Sequence, residues 1–544
     1  MKILRFLSCA ALLVFYSCSK NQADLIVYNA KVYTVDSLLT VTEAFAVKDG
    51  KFIETGTSDE ILKKYDAAEV KDAQGKAVFP GFIDAHCHFY FYGLNSNNID
   101  LVGTKSFNEV VERVTDYAKD HPEGWLVGRG WDQNDWDEKS FPVKDTFDKL
   151  FPGRPMYLSR VDGHAALVNQ DAIDQAKFDI HTKITGGDIV KINGKLSGVL
   201  LDNAADSVQK LINKPTRNQQ IEALQKAEQD CFGVGLTTVS DAGLDKQVVL
   251  LIDSLQKANQ LQMRVYAMLN PTEENFKAFL SKGIYATDWL NVRSFKIYGD
   301  GALGSRGACL LHPYSDKPET HGFLISPPKY FQDVANKIKA SDYQMNTHCI
   351  GDSANRWLLK TYAQVLGKNN NRRWRIEHAQ VVNANDFHFF KDYNIIPSVQ
   401  PTHATSDMYW AEDRLGKNRM NGAYAYKQLL INASVLAGGS DFPVEGINPL
   451  LGFYAAVARQ DAKGFPENGF RTEDALTRQE ALRSMTIWAA YSNFEEKQKG
   501  SIEKGKIADF VLLDKDIMQV ELPQVLNTKV LETYSSGRQV YLRK

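Results

Sequence analysis

No two cysteines of this 544-residue chain pair as CxxC, and the six present (Cys9, Cys18, Cys87, Cys231, Cys309 and Cys349) keep no regular spacing. That excludes a zinc ribbon or a disulfide framework, both of which need cysteines at set intervals. An excess of charge is missing too: 64 Lys and Arg stand against 66 Asp and Glu, a formal net charge of -2. Such a balance implies no nucleic-acid partner, because nucleic-acid binding runs on clustered positive charge. Beyond the N-terminus there is no apolar run of the roughly 20 residues that a membrane-crossing helix needs. Repeats and low-complexity tracts are also lacking. What remains, 44% hydrophobic, 24% charged and 11% aromatic, is the composition of an ordinary globular protein. The length suits either several domains or one large barrel with additions.

The first residues stand apart. "MKILRFLSCAALLVFYSC" carries Lys2 and Arg5, then an apolar run from Phe6 to Tyr16, then Ser17-Cys18. The run is too short to span a bilayer but right for the apolar part of a secretory signal. A small residue just before a cysteine resembles the bacterial lipoprotein signal, so residues 1–17 are expected to be a leader and Cys18 to carry lipid. The chain is then expected to be an exported lipoprotein, held at the cell or outer membrane and facing the periplasm or the surface.

From Asp24 the chain reads as short alternating strands, with a hairpin signal at Asp49-Gly50, and the last fifty or so residues have the same character. Residues 24–79 and 497–544 are therefore expected to pair as a small β-sandwich around the larger piece 80–496. Within that piece apolar strands alternate with helical patterns: "VFPGFIDAHCH", "LTTVSDAG", "MRVYAML", "RSFKIYGDG", "YQMNTHCIGD", "WRIEHAQ", "IIPSVQPTH" and "SVLAGGSDFP". Eight such units predict an α/β fold, a (β/α)8 TIM barrel whose chemistry gathers at the C-terminal ends of its strands. Between His88 and Leu236 lies far more chain than the roughly 2–6 residues of a βα connection. This insertion, about 90–230, is expected to form a cap over the barrel mouth.

His86 and His88 close the first of these strands, and residues two apart on a strand share a face. Lys296 lies on the fourth, His348 ends the fifth, His378 the sixth and Asp441 the eighth. All fall where a barrel collects its catalytic groups. Imidazole and carboxylate are the ligands of catalytic zinc. Cys87 and Cys349, out of phase with their neighbours, read as inert buried thiols.

Together "PGFIDAHCH", "DGHAALVN", "FKIYGDGALGSR", "THCIGD", "IEHAQ", "GSDFPVE" and "GSIEKGKIADFVLLD" resemble the amidohydrolase superfamily, from Asp24 to the C-terminus. The resemblance is to its extended branch, which contains N-substituted formamide deformylase. It implies a hydrolytic centre of one or two divalent ions, zinc above all. His86, His88 and Asp441 would hold one ion and His348 and His378 a second. Lys296 would bridge them as a carboxylated lysine; its alternatives are a structural ion pair or a cationic substrate contact. Asp441 would be the catalytic proton carrier. His164, Arg306 and Trp131 are candidate substrate contacts; the alternatives are an ordinary polar group for His164, structural support for Arg306 and cap core for Trp131. Asp300 and Asp352 read as supports, and His403, at the end of the seventh strand, as the one other histidine facing the mouth.

The expected reaction is hydrolysis of a carbon–nitrogen bond, other than a peptide bond, in a small amide-type substrate. Esters, lactams or imides, and carbamates offer the same centre a similar carbonyl. A lipid-anchored binding protein on a decayed barrel is the alternative of another class, and the complete set of six candidate ligands argues against it. Oligomeric state is not legible.

Overall fold

The structure, a computed structural model, describes residues 20–544. The leader reading and the lipid site at Cys18 fall outside the described residues.

Eight parallel strands form the central sheet: Phe82–Cys87, Leu236–Leu244, Arg264–Leu269, Leu290–Tyr298, Gln344–Cys349, Arg375–His378, Ile396–Val399 and Ala437–Gly438. Spatial order follows chain order, the outcome of successive right-handed strand–helix–strand units. The strands are buried along nearly their whole length, so they read as apolar runs and not as alternating ones, as a sheet covered on both faces requires. The ring closes between first and last strands at its upper end. Asp441 N donates to His86 O and His88 N to Phe442 O, each at 2.8 Å. The α/β barrel expected from the sequence is therefore present.

Covering helices show the matching 3.6-residue period. Pro328–Lys339 buries Phe331, Val334, Ala335 and Ile338, one stripe facing the barrel. Asp352–Leu366 stops at Gly367, whose φ of +69° suits a residue with no Cβ.

One boundary differs from the sequence reading. "VFPGFIDAHCH" is not one strand but two: Ala77–Pro80 belongs to a terminal sheet and only Phe82–Cys87 to the barrel. Gly81 is the joint, because a Cβ there would collide with the Thr237 side chain. The close approach of two sheets at this point requires glycine.

The terminal segments build two further sheets. One is four-stranded, with Asn21–Tyr28 between Ala44–Lys48 and Tyr65–Asp72. In the other, Ala77–Pro80 pairs with Phe510–Leu513 from the far end of the chain. Leu25, Val27, Phe45 and Phe52 pack against Phe510, Leu512 and Tyr534 in one cluster between them. At Asp49-Gly50 the φ values of +50° and +72° match the tight hairpin turn that Asp-Gly favours.

After the first barrel strand, a six-stranded sheet running from Ile99 to Asp202 forms a separate layer with its own clusters. The helix Arg217–Gly233 that follows puts Leu224, Ala227, Cys231 and Phe232 into the barrel's core instead. Contacts from the cap to the barrel include Arg129, which donates to Pro443 O at 2.9 Å, and Asn134, which accepts from Arg414 at 2.9 Å.

Candidate metal centre

Because all eight strands run the same way, their C-terminal ends share one mouth. Asp84, two residues before His86, fixes the seam there: it accepts from His86 N at 3.0 Å and from Ser440 Oγ at 2.6 Å. The segment carrying Asp441 is thereby tied to the strand carrying the first histidines.

Asp441 is the hub. Its Oδ1 lies 3.2 Å from His88 Nε2 and 3.5 Å from His86 Nε2, and its Oδ2 lies 3.7 Å from His403 Nε2. Two groups of three donors, each with its ligand atoms within 4.8 Å of one another, share it: His86–His88–Asp441 and His378–His403–Asp441. His378 stacks on His403 with ring centroids 5.7 Å apart. Asp441 Oδ1, His378 Nδ1 and His403 Nε2 are buried with no hydrogen-bond partner. Buried polar atoms in folded proteins are almost always paired, and each orphan costs about 1–3 kcal/mol. Neutral imidazole and carboxylate converging on unsatisfied lone pairs are a donor set that fits a divalent cation.

Protonation agrees. Burial, together with the neighbouring positive groups, holds His348 and His378 well below the usual imidazole value, so both stay neutral as ligands must. Burial alone would raise Asp441, but the His88, His86 and His378 rings close around it keep its carboxyl well below the usual range. Burial lowers Lys296 against the opposing pull of Asp441 and Glu377. Its Nζ is 2.9 Å from His86 Nε2. His378 and Asp441 both have left-handed backbone, at φ +69° and +61°. Such conformations cost on the order of 1–3 kcal/mol in a residue with a side chain and collect at functional sites.

Glu377 is a functional residue that the sequence reading passed over. Its Oε2 lies 2.5 Å from His86 Nδ1, so the ring proton is held on Nδ1 and Nε2 keeps its lone pair for a metal. On an ordinary strand Glu377 and His378 would face opposite ways. The left-handed turn at His378 lets both lie against the His86 ring, whose centroid is 4.9 Å from that of His378. Glu377→Gln is expected to weaken metal binding roughly 10–100-fold, the usual effect of losing such a partner. Competition with a chelator measures it; unchanged affinity would remove Glu377 from the centre.

Above the donors opens a cavity of about 250 Å³ whose floor includes His88, Lys296, His348, His378, His403 and Asp441. His348 belongs to neither three-donor group; its Nε2 faces Gly301 O at 3.5 Å, although its ring lies 4.5 Å from that of His378. His403, read from the sequence only as facing the mouth, joins His378 in the second group, its ring farther from that of His378 than the His348 ring is. His164 is on the cavity wall. Burial alone would lower it, but its Nδ1 hydrogen bond to Asp202, at 2.7 Å, leaves it raised to about 9. Asp300 accepts from the backbone of Cys309, Ile350 and Gly351 and so shapes the turn after His348, while Asp352 accepts from Leu311 N.

Two expected substrate contacts are corrected. Trp131 is fully buried in the cap's own cluster, where its Nε1 donates to Leu158 O at 2.7 Å. A separate layer needs a core, and the large indole supplies it. Arg306 does not line the cavity; it pairs with Asp316 at 2.8 Å, which also takes Arg414. Cys87 packs in the barrel core, its Sγ 3.5 Å from Ser240 O.

The chain matches the amidohydrolase family over residues 69–541. It is 31% identical over 539 residues to the protein LONG AFTER FAR-RED 3 of Arabidopsis thaliana, covering 95% of this chain and 92% of that one. To the N-substituted formamide deformylase of Arthrobacter pascens it is 26% identical, covering 94% and 97%. An uncharacterized metal-dependent hydrolase from Pyrococcus horikoshii superposes with a TM-score of 0.74 at 26% identity, covering 92% and 99%. With its barrel, its shared-carboxylate donor groups and a family match across most of its length, this chain belongs to the amidohydrolase family.

Proposed function

We propose that the protein hydrolyses carbon–nitrogen bonds, other than peptide bonds, in small amide-type substrates with the help of one or two divalent ions, zinc the first choice. The observation that carries this is the set of unsatisfied buried donors around Asp441 at the floor of a cavity. His86, His88 and Asp441 would hold one ion, and His378 and His403 with Asp441 a second, with His348 and Lys296 alongside. When bound, such an ion would lower the pKa of a water to about 7 and polarise a carbonyl.

The chain's own groups do the rest. Asp441 takes a proton on a carboxylate oxygen and passes it to the leaving nitrogen, since an amine leaves poorly unless protonated. His164 keeps its Nδ1 proton on Asp202 and offers its Nε2 proton to the developing oxyanion. Glu377 fixes the His86 ring. The cap walls the cavity against bulk water through Arg160, Asp162 and their neighbours. The name of the deformylase relative supports an amide among the possible carbonyl substrates.

The test is metal analysis of purified protein, then matched amides, esters, lactams and carbamates on the loaded enzyme. At least one metal per chain and turnover of amides are expected. Metal-loaded protein that cleaves esters or carbamates but no amide would overturn the choice of bond.

The lipoprotein reading is kept as part of this proposal. Among the described residues no helix is long and apolar enough to cross a membrane. Attachment is assigned to Cys18 on the Ser17-Cys18 junction of the sequence, and Cys18→Ala is expected to move the protein from the membrane fraction to the soluble one. A variant that stays with the membrane would end that reading.

A further inference from the structure

On the cap side of the cavity a guanidinium and an imidazole stand among the acids; on the opposite side the acids have only neutral hydrogen-bond partners. On the cap side Arg160 pairs with both Asp132 and Asp162, and His164 pairs with Asp202. On the side of the seventh and eighth strands two further carboxylates, Asp407 and Glu445, line the same cavity. The opposing group acting on both is the His403 ring. The side chains that hydrogen-bond them, Tyr424, Gln380 and Ser406, are all neutral.

Both carboxylates are held in place. Asp407 Oδ2 accepts from Tyr424 Oη at 2.7 Å and from Gln380 Nε2 at 3.2 Å, and Tyr424 is fully buried. Glu445 Oε1 accepts from Ser406 Oγ at 2.6 Å, so the helix Pro401–Asp407 gathers both acids. His403 is four residues before Asp407 on that helix, which puts the two side chains on one face about 5–6 Å apart. His403 is only 9% exposed, lines the cavity and has its Nε2 unpaired. The acids thus stand one helical turn from the donors around Asp441.

Neither Asp407 nor Glu445 belongs to a group of three metal donors among the described residues. A two-carboxylate recess with hydroxyl and amide supports suits an organic cation, which needs hydrogen-bond acceptors and not a closed coordination shell. We infer that the substrate carries a cationic nitrogen, an ammonium or amidinium a few bonds from the scissile carbonyl, which Asp407 and Glu445 bind. Burial, and the proximity of the other acids, pushes Asp407 up to about 7 and raises Glu445, the strain that a bound cation would relieve. Asp135, at the exposed rim, adds the same sign to the approach.

This inference rests on the hydrolase reading above, and the test separates the two. The zinc-loaded full chain is given three acetamides of matched length: N-(ammoniobutyl)acetamide, N-pentylacetamide and acetamidopentanoate. The ammonium compound is expected to exceed the neutral one in kcat/KM by about tenfold, and the carboxylate to be poorest, because a desolvated charge contact is worth at least that factor. In a chain with Asp407→Asn and Glu445→Gln together, the ratio of ammonium to neutral substrate should fall towards one. A ratio near one in the wild type, or one unchanged in the double variant, overturns the inference. Pentylammonium binding, followed by calorimetry on the zinc-loaded protein, answers even if no amide is cleaved. Binding to wild type that the double variant loses supports the cation site while the choice of bond fails, and no binding to wild type overturns it. Circular dichroism of the double variant guards against a folding defect.

Discussion

Lys296→Ala is expected to lose one or both metal ions per chain and, with them, all measurable hydrolysis. Lys296 is 1% exposed, on the fourth strand, and its Nζ sits 2.9 Å from His86 Nε2, the nitrogen that Glu377 leaves open for a metal. An ammonium at that place would compete with the metal for the same lone pair. Burial favours the neutral amine. A neutral amine adds to carbon dioxide, forming an N–C bond and releasing one proton, and becomes a carbamate whose oxygens are anionic donors. Such a carbamate would supply negative charge to both donor groups, and removing the side chain would take that anion from any ions they hold. Metal per chain, measured by mass spectrometry after gel filtration, decides it, and added formate or acetate should restore part of the activity by filling the gap. A full metal complement with a raised KM would instead make Lys296 a cationic substrate contact.

Much of the site was legible because a parallel barrel maps strand ends to one place. Once "RSFKIYGDG", "YQMNTHCIGD", "WRIEHAQ" and "SVLAGGSDFP" are read as strands, Lys296, His348, His378 and Asp441 must meet near His86 and His88. What escaped was set by local backbone and by the cap. Glu377 looked like the neighbour of a ligand, and only the positive φ at His378 brings both residues to His86. Trp131 looked like a wall of the cavity because aromatic residues serve equally as core and as binding surface, and only the cap's sheet order decides which. Arg306 lies in a segment rich in glycine that a pattern does not orient; its partner Asp316 is ten residues on. Asp407 and Glu445 are separate acids in sequence and become a pair only through Ser406 and the turn of one helix.

Asp441→Asn is the second large effect expected, and its pattern across substrates matters more than its size. Asparagine keeps one carbonyl oxygen in the position of Oδ1, beside His88 Nε2 at 3.2 Å, so at saturating zinc the His86–His88 group is expected to refill. What asparagine cannot do is accept a proton and return it. Amide hydrolysis needs both, because the leaving nitrogen must be protonated as the bond breaks, and loss of a positioned proton carrier costs about 10²–10⁴ in rate. An aryl ester with an acidic phenol as leaving group departs as the anion and needs no such delivery. For Asp441→Asn at full metal occupancy, kcat on an amide should therefore fall by roughly that factor, and kcat on the aryl ester by much less. Equal losses on the two substrates would assign Asp441 to holding metal alone and move the proton transfer to another group on the cavity wall. His164, already carrying a proton above neutral pH through its bond to Asp202, is the group to test next in that case.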